Sequence, residues 1–480
     1  MSDVDSLAHT QPGNAGWQDL VRNGNGPRAL IITGGVAIHA VSIYVVATIM
    51  PIVVGDVGGI AFFAWTATLY VTGSLCSAST VPLLLSRCTV RIVYRIAFGL
   101  FLTGSLTCSL APTMGVLLVG RLLQGLGGGM LPALAYTIIR KVFSPSLHAR
   151  AITLVGSVWG VAALIGPSIG GVFAQAGAWR AAFWIDVVIG VAFIFTSERA
   201  LPSQVVAESA ARSFPGARLG LLIAAAICVS SGGLSGQLLP AVFGCGGAIA
   251  LIATMLRLDA ACTPRMLPGG AFNPRLPLGA VSATMGLLIL SSSPSTFVPY
   301  ILRVAHDVAP VVGGYVNATY ALSWTLLSFL TASAARGGAR MAIRIGPLLM
   351  CAGMALLAWA VPAGMVLWVL AAHALMGAGI GMAWAHLGAL LMEVAPADDR
   401  DAAGPFITTT QTLAAMFGSA IAGVIANLAG LADAASAYEV AAVGKWLFGT
   451  GTLLPLAGLL VAWHALALTK VRSEGLRAMK

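Results

Sequence analysis

Residues 120–129 read GRLLQGLGGG and residues 160–171 read GVAALIGPSIGG. The first stretch places a permanent charge, Arg121, in an apolar helix beside Gln124 and a run of glycines. The second places Gly166-Pro167 and Gly170-Gly171 inside another apolar helix. A charge in lipid is costly, so it faces a bundle interior or a wet cavity and marks a pathway. Glycine lets membrane helices approach closely, and proline is tolerated where neighbours satisfy the freed carbonyl. The two stretches therefore describe consecutive helices packed inside a membrane bundle.

The composition agrees. Of 480 residues, 58% are apolar and 9% charged, and the mean hydropathy is +0.92. A soluble domain carries about 25% charged residues, so this chain cannot cover itself with polar surface and needs lipid. The net charge of +10 raises nucleic-acid binding, but the basic residues recur at loop positions along the whole chain. That is the pattern of loops facing an anionic leaflet, and nucleic acid is not expected. The seven cysteines, Cys76, Cys88, Cys108, Cys228, Cys245, Cys262 and Cys351, form no C-x-x-C pair. They read as small buried hydrophobes. Residues 1–28 are a polar tail without a secretory pattern.

Charges punctuate the spans. Arg28 to Asp56 encloses span 1, Asp56 to Arg87 span 2, and Arg95 to Arg140 spans 3 and 4 about an outer turn at Ala111-Pro112-Thr113. Arg150 to Arg180 is span 5, and Ala181 to about Thr196 is span 6. Arg218 to Arg257 encloses 38 uncharged residues, right for two crossings of about 20 residues each, with a turn near Gly236–Pro240. Span 9 lies between Arg275 and Arg303, and span 10 between Asp307 and Arg336. Arg344 to Glu393 encloses 48 uncharged residues, which Pro362-Ala363-Gly364 splits into spans 11 and 12. Span 13 runs from about Gly404 to Leu428 and span 14 from about Trp446 to Leu468. Fourteen crossings with both termini in the cytoplasm leave only four of the 26 basic residues off the cytoplasmic side: Arg121 in the membrane, and Arg180, Arg303 and Lys445 outside. A flipped or odd-numbered topology destroys that bias.

RLLQGLGGG resembles the span-four motif R-x-x-Q-G-x-G of the major facilitator superfamily. GPSIGG resembles the span-five motif G-P-x-x-G-G of its fourteen-span drug:proton antiporter branch. YVVATIMP at 44–51 with GDVGG at 55–59, and WTATLYV at 65–71, are similar to the ends of spans 1 and 2 in that branch. The resemblance implies an all-α integral membrane protein of two six-helix bundles, 29–197 and 276–468, plus an extra helix pair at 218–256. Between them lie a cytoplasmic linker at 198–217 with Glu208 and Arg212, and a cytoplasmic loop at 257–275. The chain closes with a tail at 469–480. The implied activity is proton-coupled export of small amphiphilic compounds by alternating access, from a bacterial-type inner membrane. The implied partners are a small molecule, protons and lipid, and the chain is expected to work as a monomer. The chain departs from the family in two places. The acid of the span-1 motif aligns with Ser42, and the loop-2–3 motif is reduced in LLLSRCTVRIVYR at 83–95 to Arg87, Arg91 and Arg95.

Three groups remain for proton coupling. Arg121 is either a donor to helix carbonyls or a fixed charge that biases a nearby acid. Asp186, in WRAAFWIDVVIG, stands where the family carries Asn. A carboxylate inside an apolar helix is disfavoured in its charged form, which suits cyclic protonation; the other reading is a rim carboxylate paired with Arg180 or capping a helix. His39 precedes Ser42 by one turn on one face and is titratable near neutrality, or is a hydrogen-bonded bundle histidine. Ser42, Tyr70, Gln124, Tyr300, Asn317, Tyr320 and Trp324 are candidates for the substrate cavity. Trp65 and Tyr70 also suit interface anchoring. Asn317, Tyr320 and Trp324 share one face at i, i+3 and i, i+4 spacing. Pro294 after Ser291-Ser292-Ser293 is expected to interrupt span 9, and FITTTQT at 406–412 adds a polar patch to span 13. Gly166, Pro167, Gly170 and Gly171 are candidates for the conformational motif. His373 and His386 are 13 residues apart, not a chelating spacing. Asp398-Asp399-Arg400-Asp401 reads as a solvated loop. No metal or cofactor is expected, and no Walker sequence points to ATP. Three other readings stand beside export: a metabolite facilitator or importer with weak coupling, for want of the span-1 acid; a polytopic membrane enzyme; and a non-transporting sensor. The enzyme reading lacks a clustered catalytic set.

Overall fold

The computed structural model describes residues 17–22, 24–144, 147–201, 215–262, 265–332, 334–396 and 399–478. Residues 1–16 and 23 of the expected N-terminal tail, most of the 198–217 linker and Asp398 of the acidic loop lie outside them, and α1 takes up the tail's last residues from Asn25. Every regular element among the described residues is a helix. The helices are α1 (Asn25–Val57), α2 (Trp65–Arg87), α3 (Val90–Ser109), α4 (Met114–Val142), α5 (His148–Gln175), α6 (Trp179–Ala200), α7 (Gly216–Gly232) and α8 (Leu238–Ala261). They continue as α9 (Pro277–Ser292), α10 (Val298–His306), α11 (Pro310–Thr331), α12 (Arg336–Ala360), α13 (Val366–Val394), α14 (Arg400–Leu428), α15 (Ala437–Gly451) and α16 (Leu453–Ala478).

Twelve helical segments are long and apolar enough to cross a membrane. Two of these each join two α-helices. α9 and α10 are joined through a 3-10 turn over Ser293–Phe297, where Pro294 removes a helical donor, and α15 runs into α16. α7 is apolar but has 17 residues, and α11, with Asn317, Tyr320 and Trp324, is not among the twelve. These two occupy the places of expected spans 7 and 10. Among the described residues the length-and-hydropathy count is therefore twelve, against fourteen expected.

Span 14 starts earlier than expected. Ser436 and Glu439 close a capping box on α15, which satisfies two backbone donors at the helix start and draws Lys445 into the helix. α16 also continues through residues 469–478 of the expected tail. α1 ends at Gly58-Gly59, with φ of 70° and 77°, a left-handed turn that costs glycine little.

Helix packing is closest along α4. A Cβ on Gly125 would stand 2.2 Å from the Tyr70 carbonyl oxygen of α2, and one on Gly127 would stand 2.2 Å from the Phe101 nitrogen of α3. Only bare backbone fits there, so the glycine run lays α4 directly on α2 and α3. This brings the side chains of Arg121 and Gln124 against Tyr70 and Ser105.

Candidate functional site

The close packing of α4 on α2 and α3 creates a buried polar network. Arg121 is 3% exposed, Gln124 0% and Asp186 7%. The Arg121 guanidinium lies 4.0 Å from the centre of the Tyr70 ring, a cation–π contact strengthened by exclusion of water. Its Nε donates to the Thr66 carbonyl (3.3 Å) and an Nη to Gln124 Oε1 (2.8 Å). Gln124 Nε2 donates to Ser105 Oγ (2.8 Å) and to Asp186 Oδ2 (3.4 Å). Ser42 Oγ (3.2 Å) and Ser105 Oγ (3.5 Å) donate to the same carboxylate oxygen. Arg121 therefore reaches Asp186 through the Gln124 amide. Three donors therefore converge on one buried carboxylate oxygen.

His39 closes the other end. Its Nδ1 lies 2.7 Å from the Tyr70 hydroxyl, and the two rings stack at 5.5 Å. Trp159 of α5, 37% exposed, meets the His39 ring edge-on at 5.9 Å. Five helices of the first bundle thus contribute to one continuous chain: α1, α2, α3, α4 and α6.

Asp186 does not pair with Arg180. Arg180 bonds Asp56 (2.5 Å) and the Ala111 carbonyl (3.0 Å), and Trp179 Nε1 donates to Asp56 (3.0 Å). Of the residues expected to line a cavity, Ser42, Tyr70 and Gln124 belong to the network. Tyr300, in α10, is 8% exposed and packs on Phe63 at 5.3 Å between ring centres. Tyr320 and Trp324 lie together on α11 (5.8 Å), and Trp324 meets Trp384 of α13 at 5.6 Å. The Asn317 Oδ1 and Tyr320 hydroxyl oxygens are buried with no hydrogen-bond partner among the described residues.

The glycine-proline stretch of α5 lies against α1 and α11. Cβ atoms on Gly166 and Gly170 would meet Tyr44 (2.5 Å) and Thr48 (2.9 Å) of α1, and one on Gly171 would meet Val311 of α11 (2.5 Å). One on Gly314 of α11 would stand 2.8 Å from Pro167, and Ser168 hydrogen-bonds Tyr315 beside it. The two bundles therefore touch along the later half of α5 and the first half of α11. The reduced loop motif ties its own bundle together: Arg95 pairs with Glu198 (2.7 Å) and Arg91 bonds the Leu201 carbonyl (2.6 Å).

Sequence reasoning missed Ser105, Trp159 and Trp384. Serine and tryptophan are common in membrane helices, and none of the three sits in a charged or glycine-rich motif. No group of three or more His, Cys, Asp or Glu among the described residues could hold a metal ion.

A family profile described as Major Facilitator Superfamily matches residues 32–301. A probable multidrug-efflux transporter of Mycobacterium tuberculosis (strain H37Rv) is 32% identical over 474 residues, covering 96% of this chain and 98% of the relative. Over a shorter region, the multidrug transporter protein MdtP of Bacillus subtilis is 33% identical across 186 residues, 37% of this chain and 33% of its own. Among solved structures, a mutant form of the nucleoside transporter NupG superposes with a TM-score of 0.67 at 10% identity, covering 92% of this chain and all of the other. A peptide transporter, POT, in complex with alafosfalin superposes at 0.66 with 13% identity, covering 95% and 97%. At these identities the structural likeness is one of fold.

Proposed function

Because the chain belongs to the major facilitator superfamily, as a multi-pass membrane transporter of the multidrug type and not an enzyme, we propose that it exports small amphiphilic organic compounds in exchange for protons. Asp186 carries the proton. The observation behind this is the placement of a buried carboxylate whose donors, Ser42, Ser105 and Gln124, link it to the fixed charge of Arg121. Protonation removes the acceptor charge on which all three donors converge. The network then relaxes, and Arg121, joined to it through Gln124, shifts its hold on the Thr66 carbonyl of α2. His39, hydrogen-bonded to Tyr70 and edge-on to the partly exposed Trp159, is the group through which protons enter the chain of contacts.

Cargo lies between the bundles, and the bundles rock about it to alternate access. Pro167 and Gly171 lie on the surface where they meet, and Gly166 and Gly170 hold α5 against α1 behind it. The protein works as a monomer in a bacterial-type inner membrane with both termini cytoplasmic, as the distribution of basic residues supports. The relatives bearing multidrug-efflux names support the export direction.

The deciding experiment is flux of a fluorescent compound from proteoliposomes with and without a pH gradient. Gradient-dependent flux that Asp186→Asn makes insensitive to the gradient is the expected result. Equal flux under both conditions in the unaltered protein would replace exchange with facilitated diffusion.

A further inference from the structure

The added pair α7–α8 packs closely on itself and on the second bundle, and loosely on the first. A Cβ on Gly232 of α7 would stand 2.7 Å from the Pro240 carbonyl oxygen, and one on Gly244 of α8 would stand 2.5 Å from that of Cys228. Toward the second bundle, Ala225 and Val229 of α7 share a buried cluster with Ala420 and Val424 of α14. Toward the first bundle a slot of about 360 Å³ separates α7 from α2, α3 and α4. Thr80 and Leu84 of α2, Leu100 of α3, Met130 of α4, and Gly220 and Ile223 of α7 line it.

Glycine keeps this slot open. The glycines at the α7–α8 contact meet backbone, whereas a Cβ on Gly220 would meet nothing within 4 Å. Glycine inside a helix is destabilising unless the site needs its small size or its backbone freedom. Gly220 lies in a helix and touches no neighbour closely, so what it contributes is space. The wall is apolar in effect. The Thr80 hydroxyl donates to the Ser77 carbonyl (2.7 Å) and the Ser77 hydroxyl to the Ser74 carbonyl (3.3 Å), so both are spent on their own helix. From Cys76 to Leu84 the wall runs about 12 Å at the rise of an α-helix, most of one leaflet's share, about 15 Å, of the hydrocarbon core.

One end of the slot carries charge. Arg87 follows Leu84 by one turn on the same stripe of α2 and lies in the last turn of that helix. It is exposed and has no ion-pair partner among the described residues. The basic side chains nearby are engaged: Arg95 with Glu198, Arg91 with the Leu201 carbonyl, and Arg218 with Asp259. An apolar slot of leaflet depth that ends at a free guanidinium is complementary to a hydrocarbon chain with an anion at its head.

We propose that the slot binds an acyl chain of an anionic phospholipid, with the lipid phosphate on Arg87. The lipid fills the joint between the added pair and the first bundle, while α14 fixes the pair to the second. Its assignment to the cytoplasmic leaflet, whose surface is negative, rests on the orientation proposed above; the shape and charge of the slot do not.

The test is native mass spectrometry of the full-length protein released from nanodiscs of phosphatidylcholine and phosphatidylglycerol in equal parts. The unaltered protein is expected to retain one phosphatidylglycerol in preference to phosphatidylcholine by about fivefold. Arg87→Gln should abolish the preference and Arg87→Lys should keep it. Gly220→Leu should fill the slot and remove retention of both lipids, with a melting temperature in phosphatidylcholine no lower than that of the unaltered protein. Phosphatidylglycerol carrying a diazirine in its acyl chain should photolabel peptides within 76–84 and 216–223. Equal retention of the two lipids by the unaltered protein overturns the site, as does undiminished retention in Gly220→Leu. Photolabelling confined to other helices overturns it without recourse to any variant. A photoreactive benzoylphenylalanine in place of Gly220 that cross-links to residues 202–214 and not to lipid would give the slot to the linker and overturn it too. Retention and labelling depend neither on transport nor on which way the chain faces. Termini found on opposite faces would therefore change the leaflet and leave the site standing.

Discussion

Arg121 shows how one residue acquires a role from its surroundings. A guanidinium held at 3% exposure is tolerated because a π face, a carbonyl and an amide oxygen receive it. Arg121→Ala leaves Gln124 without its cationic donor, and flux should fall by more than about tenfold while the protein still inserts and folds; normal flux in proteoliposomes would remove its role. Gly128 is a sharper test, because it faces the network without belonging to it. A Cβ there would stand 2.6 Å from His39 Nδ1 and 3.0 Å from the Tyr70 hydroxyl. Gly128→Ala should therefore part these two groups, and gradient-driven flux should drop several-fold more than cargo flux without a pH gradient. Equal losses in both would mean that the substitution acts through packing alone. The charge of Arg121, the carboxylate of Asp186 and the titratable ring of His39 were legible in the sequence, because ionisable groups are rare in lipid-facing chains. Their linkage through Gln124 and Ser105 was not, since it joins α3, α4 and α6 across stretches with no shared motif.

At the scale of elements, the added pair α7–α8 is fastened at both ends. Arg218 and Asp259 form a buried ion pair (2.5 Å), and Asp259 also accepts from the backbone nitrogens of Met266 (2.7 Å) and Leu267 (3.1 Å). At the other end, Asn427 of α14 donates to the Gly233 carbonyl after α7 (3.2 Å) and to the Ala61 carbonyl before α2 (3.0 Å). One side chain thus joins the extra pair to both bundles where they close. Asn427→Ala removes two bonds worth about 0.5–1.5 kcal/mol each. The variant should melt at a lower temperature and label faster at a cysteine placed at Ala61. An unchanged labelling rate would show that the pair is a passive insertion. The α15 start offers an independent check: Ser436→Ala removes the capping box and should cost about 1 kcal/mol, read as lowered thermal stability with transport retained. The spacing of charges revealed where these helices lie. It did not reveal the early start of α15, because Lys445 read as a loop charge while the cap lay nine residues before it.

For the whole molecule, one seam between the bundles runs where α5 meets α11 through glycine and proline. Small residues allow backbones to approach and part without interlocking side chains, which suits a surface that must open. Gly171→Leu should wedge this seam against Val311 and leave the transporter open on that side, raising the labelling of a cysteine at Val311 and abolishing flux. Unchanged labelling and flux would place the moving surface elsewhere. Tags on the two termini should prove accessible from the same, cytoplasmic face; opposite faces would break the fourteen-crossing topology.

What the sequence determined alone is the solvent. A chain with 9% charged residues and +0.92 mean hydropathy has no stable exterior except lipid, and its glycine motifs mark α4 and α5 as helices that pack closely on their neighbours. These are properties of composition and local spacing, and they do not wait on folding. What only the tertiary structure decided is which polar groups found partners. Ser42 proved to face Asp186 from another helix, and Tyr70 proved to bond His39 of α1. Hydrogen bonds form over about 3 Å, between residues separated by tens to hundreds of positions, so only the packed bundle brings the donors to their acceptors.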